Sequence, residues 1–135
     1  MRRIHLIAGV LALLAFLLSG QAMHFHRPPT HDLAPEFRLM FVSRHIYLLA
    51  GALVNLCLGM YLQTSHIGWR RLGQMLGSVL VVVSPAFSLL AFLYEPERGM
   101  VGHSWRTPAG LIPLFAGVML HLVSRIGEKR SAALN

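Results

Sequence analysis

Histidine is the residue type in this chain whose placement could support chemistry, with eight among 135 positions. A neutral imidazole nitrogen is a common ligand for zinc, copper and haem iron. His24, His26, His31, His45 and His103 fall toward one end of a set of apolar runs, and His5, His66 and His121 toward the other. Bis-histidine haem in a membrane bundle takes one histidine from each of two facing helices at equal depth. His45 with His24 or His26 meets that condition at the first end, and His5 with His121 meets it at the second.

A second arrangement is a surface Cu(II) or Zn site. His24 and His26 lie two apart, which in an extended segment puts both rings on one side, and His31 and the carboxylate of Asp32 follow closely. The repeated Cys/His pairs of structural zinc sites are absent. The single cysteine, Cys57, sits inside an apolar run, gives neither a disulfide nor a CxxC pair, and reads as a small packed residue. The plainer reading of the histidines is interfacial: most of them sit in loops or at loop edges, where imidazole is an ordinary polar anchor.

Acid–base machinery is scarce. The five acidic residues are all expected in loops or tail, and Glu95 and Glu97, flanking Pro96, make too short a constellation for a catalytic pair. No GxSxG elbow, HExxH pair or phosphate-binding glycine loop occurs. The expectation is a non-enzymatic protein.

The elements that must position these residues follow from composition. Hydrophobic residues make up 55% of the chain, charged residues 13%, and the mean hydropathy is +0.58. An ordinary soluble domain carries about a quarter charged residues. The apolar residues gather into runs at about 4–23, 42–62, 72–94 and 108–123, each close to the roughly 20 residues an α-helix needs to cross a hydrocarbon core about 30 Å thick. Continuous runs rich in Leu, Ala and Gly disfavour a membrane β-barrel, whose strands alternate. The fold class expected is all-α: one polytopic membrane domain, an antiparallel four-helix bundle, with an outer loop at 24–36 and a tail at 124–135.

The formal charge of +7 would suggest nucleic acid in a soluble protein. Here the basic residues sit at the ends of apolar runs, which fits membrane orientation and anionic headgroups instead. Arg2, Arg3, Arg70, Arg71, Arg125, Lys129 and Arg130 share one side if four spans alternate, against Arg27, Arg38, Arg44, Arg98 and Arg106 on the other. The positive-inside rule then makes both termini cytoplasmic, in a bacterial inner membrane. The first run also has signal-peptide features, with Arg2 and Arg3, an apolar stretch to Leu18, and small residues at Gly20 and Ala22. Retention as an anchor is the expectation, since the next span needs a preceding one to place its Arg-rich start outside.

Pro28, Pro29 and Pro35 interrupt the outer loop, and Pro35 followed by Glu36 suits a helix start. Thr107 before Pro108 is a similar pair for the last helix. Arg38 and Arg44 are placed to snorkel to headgroups. Ser43, Tyr47, Gly51, Asn55 and Gly59 recur every fourth residue, a stripe on which a neighbouring helix can pack closely and on which the mid-span Asn55 finds partners. Gly73 and Gly77 form a second small-xxx-small pair. Pro85 and Pro113 either kink their helices to open a vestibule lined by Ser84, Ser88 and Tyr94, or have their freed carbonyls satisfied by neighbours, the commoner outcome. His66, Trp69, Arg70 and Arg71 form an interface anchor that could hold an anionic lipid headgroup, and Tyr61, Tyr94 and Trp105 fit aromatic belts.

The functional expectation is a small accessory or assembly subunit that docks through small-residue helix faces onto another membrane protein or a second copy, with the lipid bilayer as its other partner and no nucleic acid. The alternatives are a haem- or metal-binding redox or metal-handling subunit and a small transporter component. No charged residue is expected mid-span, which weakens transport.

Overall fold

The computed structural model describes residues 1–26, 28–63, 65, 68–98 and 105–132, with the backbone alone at 96–98 and 126–132. His66, Ile67 and His103 lie outside the described residues, as do the side chains of Glu97, Lys129 and Arg130. Four helices carry the chain: α1, Arg2–Phe25; α2, Pro35–Tyr61; α3, Gly68–Arg98; and α4, Arg106–Ala132, with a short 3-10 turn at Thr30–Asp32. Their 24 to 31 residues correspond to about 36 to 46 Å at 1.5 Å per residue, so each is long enough to cross a bilayer. All four are also apolar enough to do so. The chain is an antiparallel four-helix membrane bundle.

The helix ends follow local chemistry. α1 stops at Phe25, before the Pro28–Pro29 pair, and α2 starts with Pro35 at its first position and Glu36 in its first turn. At the other end of α2, the Arg2 guanidinium donates to the carbonyl oxygens of Gly59 (3.2 Å) and Met60 (2.8 Å). A cation there satisfies C-terminal carbonyls that the helix itself cannot pair. α3 and α4 both extend beyond the expected spans. α3 runs through Pro96 to Arg98, and α4 starts at Arg106 rather than Pro108.

Much of the interior is polar or small, and most of the large apolar side chains face outward. α1 buries His5, Gly9, Ala12 and Ser19 while Ile4, Ile7, Leu11, Leu14 and Leu18 are exposed. Among the described residues the largest fully buried side chains are Leu48, His5, Glu95, Val81, Asn55 and Ser84. In lipid no hydrophobic force draws helices together, so close packing and hydrogen bonds between them must. The first hairpin closes at two glycines: a Cβ on Gly9 would stand 2.9 Å from the backbone nitrogen of Leu56, and one on Gly59 2.9 Å from that of Leu6. The second hairpin closes reciprocally, with a Cβ on Gly77 2.9 Å from the Gly117 carbonyl oxygen and one on Gly117 2.7 Å from that of Gly77. Gly73 faces Ser124 across the same seam, and Gly51 faces Pro85 between α2 and α3. The aliphatic and aromatic packing that does exist is gathered around Phe41, Leu48 and Phe92, toward the end away from the chain termini.

Candidate functional site

At the basic end of the bundle, one polar side chain from each helix converges: His5 from α1, Asn55 from α2, Ser78 from α3 and His121 from α4. Asn55 is fully buried and fully used. Its amide donates to the carbonyl oxygens of Gly51 (2.9 Å) and Val81 (3.0 Å), and its Oδ1 lies 2.9 Å from His5 Nδ1. With both amide hydrogens committed to carbonyls, Oδ1 can only accept, so His5 Nδ1 carries the hydrogen. On neutral His5 the lone pair is therefore on Nε2. Val81 is four residues before Pro85, so its carbonyl is the one that the missing proline N–H leaves free, and Asn55 satisfies it from the next helix.

His5 is 1% exposed and His121 8% exposed, with ring centroids 6.1 Å apart at an interplanar angle of 69°. His121 Nε2 lies 3.3 Å from Ser78 Oγ. The remaining nitrogen of each ring, His5 Nε2 and His121 Nδ1, is buried with no hydrogen-bond partner. Each imidazole is thus held through one nitrogen and leaves the other unengaged. Metal-ligating histidines are oriented in this way by their surroundings. The ring separation is on the scale of two imidazoles sharing one ion at nitrogen–metal distances of about 2.0–2.1 Å.

The described outer histidines each make contacts of their own. Ser19 Oγ donates to the Phe16 carbonyl (2.8 Å) and so accepts from His45 Nδ1 at 2.8 Å, while the His45 ring stacks on Phe16 at 4.1 Å. His24 packs edge-on to Phe25, and His26 packs edge-on to Phe41 with its Nδ1 donating to the Pro28 carbonyl. His31 touches Asp32 at 3.1 Å in a solvent-exposed pair. Among the described residues, no group of three or more His, Cys, Asp or Glu side chains could hold a metal ion. His24, His26, His31 and Asp32 are accordingly separate contacts rather than one cage.

The expectations for Glu95 and Arg44 need correction, and the less favoured vestibule is not formed. Glu95 is not a loop residue: it lies in α3, is 2% exposed, and accepts from Arg44 Nε (2.8 Å), Thr107 N–H (3.0 Å) and Thr107 Oγ1 (2.5 Å). It caps the start of α4 with a carboxylate, where the helix dipole favours negative charge. Arg44 accordingly turns inward to this pair rather than out to headgroups. Ser84 and Ser88 are buried, with Ser88 Oγ close against Gly110 of α4, so they line no opening. Tyr94 is instead exposed, beneath the Arg106 guanidinium.

One opening among the described residues lies at the basic end. A groove of about 380 Å³ between α2 and α4 is walled by Leu53, Leu58, Val118 and Leu122, with Cys57, Gln74, His121 and Arg125 along it. Sequence reasoning missed Gly9, Gly117, Ser78 and Gln74. Of these, only Gly117 carried a signal, since it follows Gly110 by two helical turns.

The class defined by fold and site is a small, all-helical integral membrane protein with a buried histidine pair. Comparison with protein-family models, with curated proteins and with solved structures gives no match.

Proposed function

We propose that the protein is a metal-handling or redox subunit of the membrane, binding one transition-metal ion through His5 Nε2 and His121 Nδ1. The observation that carries this reading is the pair of buried, unpartnered imidazole nitrogens contributed by α1 and α4. An unpaired buried polar nitrogen costs about 1–3 kcal/mol, and a ligand shared by the two neighbouring rings would offset that cost at both. Two protein ligands suit an ion whose other positions are filled from elsewhere: the axial pair of a haem, or a bare copper-type ion with open sites. A closed structural zinc site needs four protein ligands.

The test is a reduced-minus-oxidised visible spectrum of the protein in mild detergent, with metal content measured on the same sample. Haem gives a Soret shift with sharp α and β bands, whereas a bare ion gives stoichiometric metal without them. Either signal should vanish in His5→Ala and His121→Ala and persist in His45→Ala. A flat spectrum without bound metal in the unmodified protein removes this reading.

An accessory role through small-residue faces draws less from the geometry, because Gly51, Gly59, Gly73 and Gly77 are turned to other helices of the same chain. A docking partner would have to use another surface. Placement of the basic end on the cytoplasmic side of a bacterial inner membrane remains part of the proposal, supported by Arg2, Arg3, Arg70, Arg71 and Arg125 at that end.

A further inference from the structure

The surroundings of His5 Nε2 and His121 Nδ1 offer an ion two nitrogen donors and little else. Among the described residues, no third His, Cys, Asp or Glu joins the two rings in a group that could hold a metal. Asn55 Oδ1 is taken by the His5 Nδ1–H, and Ser78 Oγ lies 3.3 Å from His121 Nε2, where it accepts the hydrogen that a ligating Nδ1 requires on the other nitrogen. Zinc takes four ligands, and Cu(II) a tetragonal set of nitrogen and oxygen donors. A monovalent d10 ion of the copper group is satisfied by two nitrogens in line.

The ring separation fits that shape. Two imidazoles in line through one ion, with nitrogen–metal bonds of about 2.0 Å and about 1.1 Å from each nitrogen to its ring centre, have centroids about 6.2 Å apart. At a tetrahedral angle the same bonds would draw the centroids in to about 5.1 Å. The observed separation is 6.1 Å. A haem iron takes the same in-line pair, but its macrocycle would extend past the rings on every side. It would cross the space that Asn55 and Ser78 occupy while bonded to the rings, and the seam at Gly77, where a Cβ would already stand 3.1 Å from His121 Cδ2.

Charge selects in the same direction. Ligating imidazoles, Asn55 and Ser78 are all neutral, and the described carboxylates, Asp32, Glu36 and Glu95, lie toward the opposite end of the bundle. The cost of burying an ion rises with the square of its charge, so without a neighbouring anion a single positive charge is the least costly. Alkali ions carry that charge but are hard and take oxygen ligands.

We propose that the ion is Cu(I), held in line between His5 Nε2 and His121 Nδ1 and kept in that oxidation state, so that the protein handles copper rather than passing electrons through it. This rests on the histidine pair being a ligand site.

The experiment titrates the full chain in mild detergent, without oxygen, with Cu(I), its redox-inert analogue Ag(I), Cu(II), Zn(II) or haem, and measures what is retained after gel filtration. One Cu(I) or Ag(I) per chain is expected, with X-ray absorption showing two nitrogen neighbours and no sulfur. His5→Ala and His121→Ala should each weaken retention by more than about tenfold, since even partners that only orient a ligand contribute that much. Cys57→Ser should keep it: Cys57 is the one thiol in the chain and is exposed, so it is where an adventitious Cu(I) would settle. Zn(II) or Cu(II) retained as tightly as Cu(I), sulfur in the absorption spectrum, or loss of Cu(I) in Cys57→Ser would each overturn the proposal. Haem retained through both histidines would overturn it while upholding the pair as a ligand site, and retention of nothing by the unmodified chain would overturn both. The selectivity and absorption measurements use the unmodified chain, so they decide the outcome even where a histidine variant fails to fold.

Discussion

The side-chain amide of Asn55 donates to the carbonyl oxygen of Val81 at 3.0 Å, which is the backbone group that Pro85 leaves without an intrahelical partner. One asparagine thus repairs the proline break in α3, pairs the Gly51 carbonyl of its own helix, and sets the tautomer of His5 on a third element.

Replacing Asn55 by Leu should therefore destabilise the bundle. It strands the His5 Nδ1–H and the Val81 carbonyl in a water-free interior, at about 1–3 kcal/mol for each unsatisfied group, with measured membrane-bundle values toward the lower part of that range. Thermal unfolding in detergent, followed by circular dichroism, checks this. Unchanged stability would mean that the Asn55 bonds contribute nothing.

The Arg44–Glu95 pair should behave as a buried ion pair. Glu95→Gln leaves the Arg44 charge without its partner, and breaking such pairs costs about 3–5 kcal/mol when both groups are buried. Arg44 retains 17% side-chain exposure, so the lower end of that range applies. The double variant Arg44→Met with Glu95→Gln should recover part of the loss, because no charge is then left unpaired. A double variant less stable than Glu95→Gln alone would contradict this account.

Glycine substitutions should separate by what a Cβ meets. In Gly9→Val the added carbon would press on the Leu56 backbone nitrogen, which no rotamer change can move, and overpacking of this kind costs about 1–3 kcal/mol or more. Gly51→Leu should also destabilise, through Pro85. Gly68→Ala meets nothing within 4 Å and should be neutral or slightly stabilising. Comparing the three melting temperatures tests whether glycine content or glycine position governs stability.

Ser78→Ala should leave the fold intact but weaken ligand binding at the histidine pair, because partners that orient metal ligands typically contribute 10–100-fold in affinity. A metal titration read at His5 and His121 by their NMR signals distinguishes this from a purely structural serine, whose loss would alter melting and leave affinity unchanged.

The four spans and the start of α2 at Pro35 were legible because length, hydropathy and proline chemistry are properties of neighbouring residues. The meeting of His5 with His121 was legible from depth alone, since both lie toward the same end of antiparallel helices. The Arg44–Glu95 pair was not, because it joins residues 51 apart, and Pro96 reads as a turn although α3 continues through it. The partner of Asn55 is a main-chain carbonyl, which has no residue identity of its own. Pro85 was nonetheless a signal for it, since a proline frees the carbonyl four residues earlier. Arg70 reads in the sequence as an interfacial cation, and its burial was not legible there.

The close glycine contacts lie within consecutive helices: Gly9 on Leu56 and Gly59 on Leu6 in the first hairpin, Gly77 and Gly117 on each other in the second. Each pair of neighbours along the chain can therefore close as soon as its second member enters the bilayer, before any later segment has been synthesised. The Asn55–Val81 bond then becomes the joint between two prefabricated halves. Assembly by hairpins would leave the histidine pair, which takes one ring from the first helix and one from the last, as the final part of the interior to be completed.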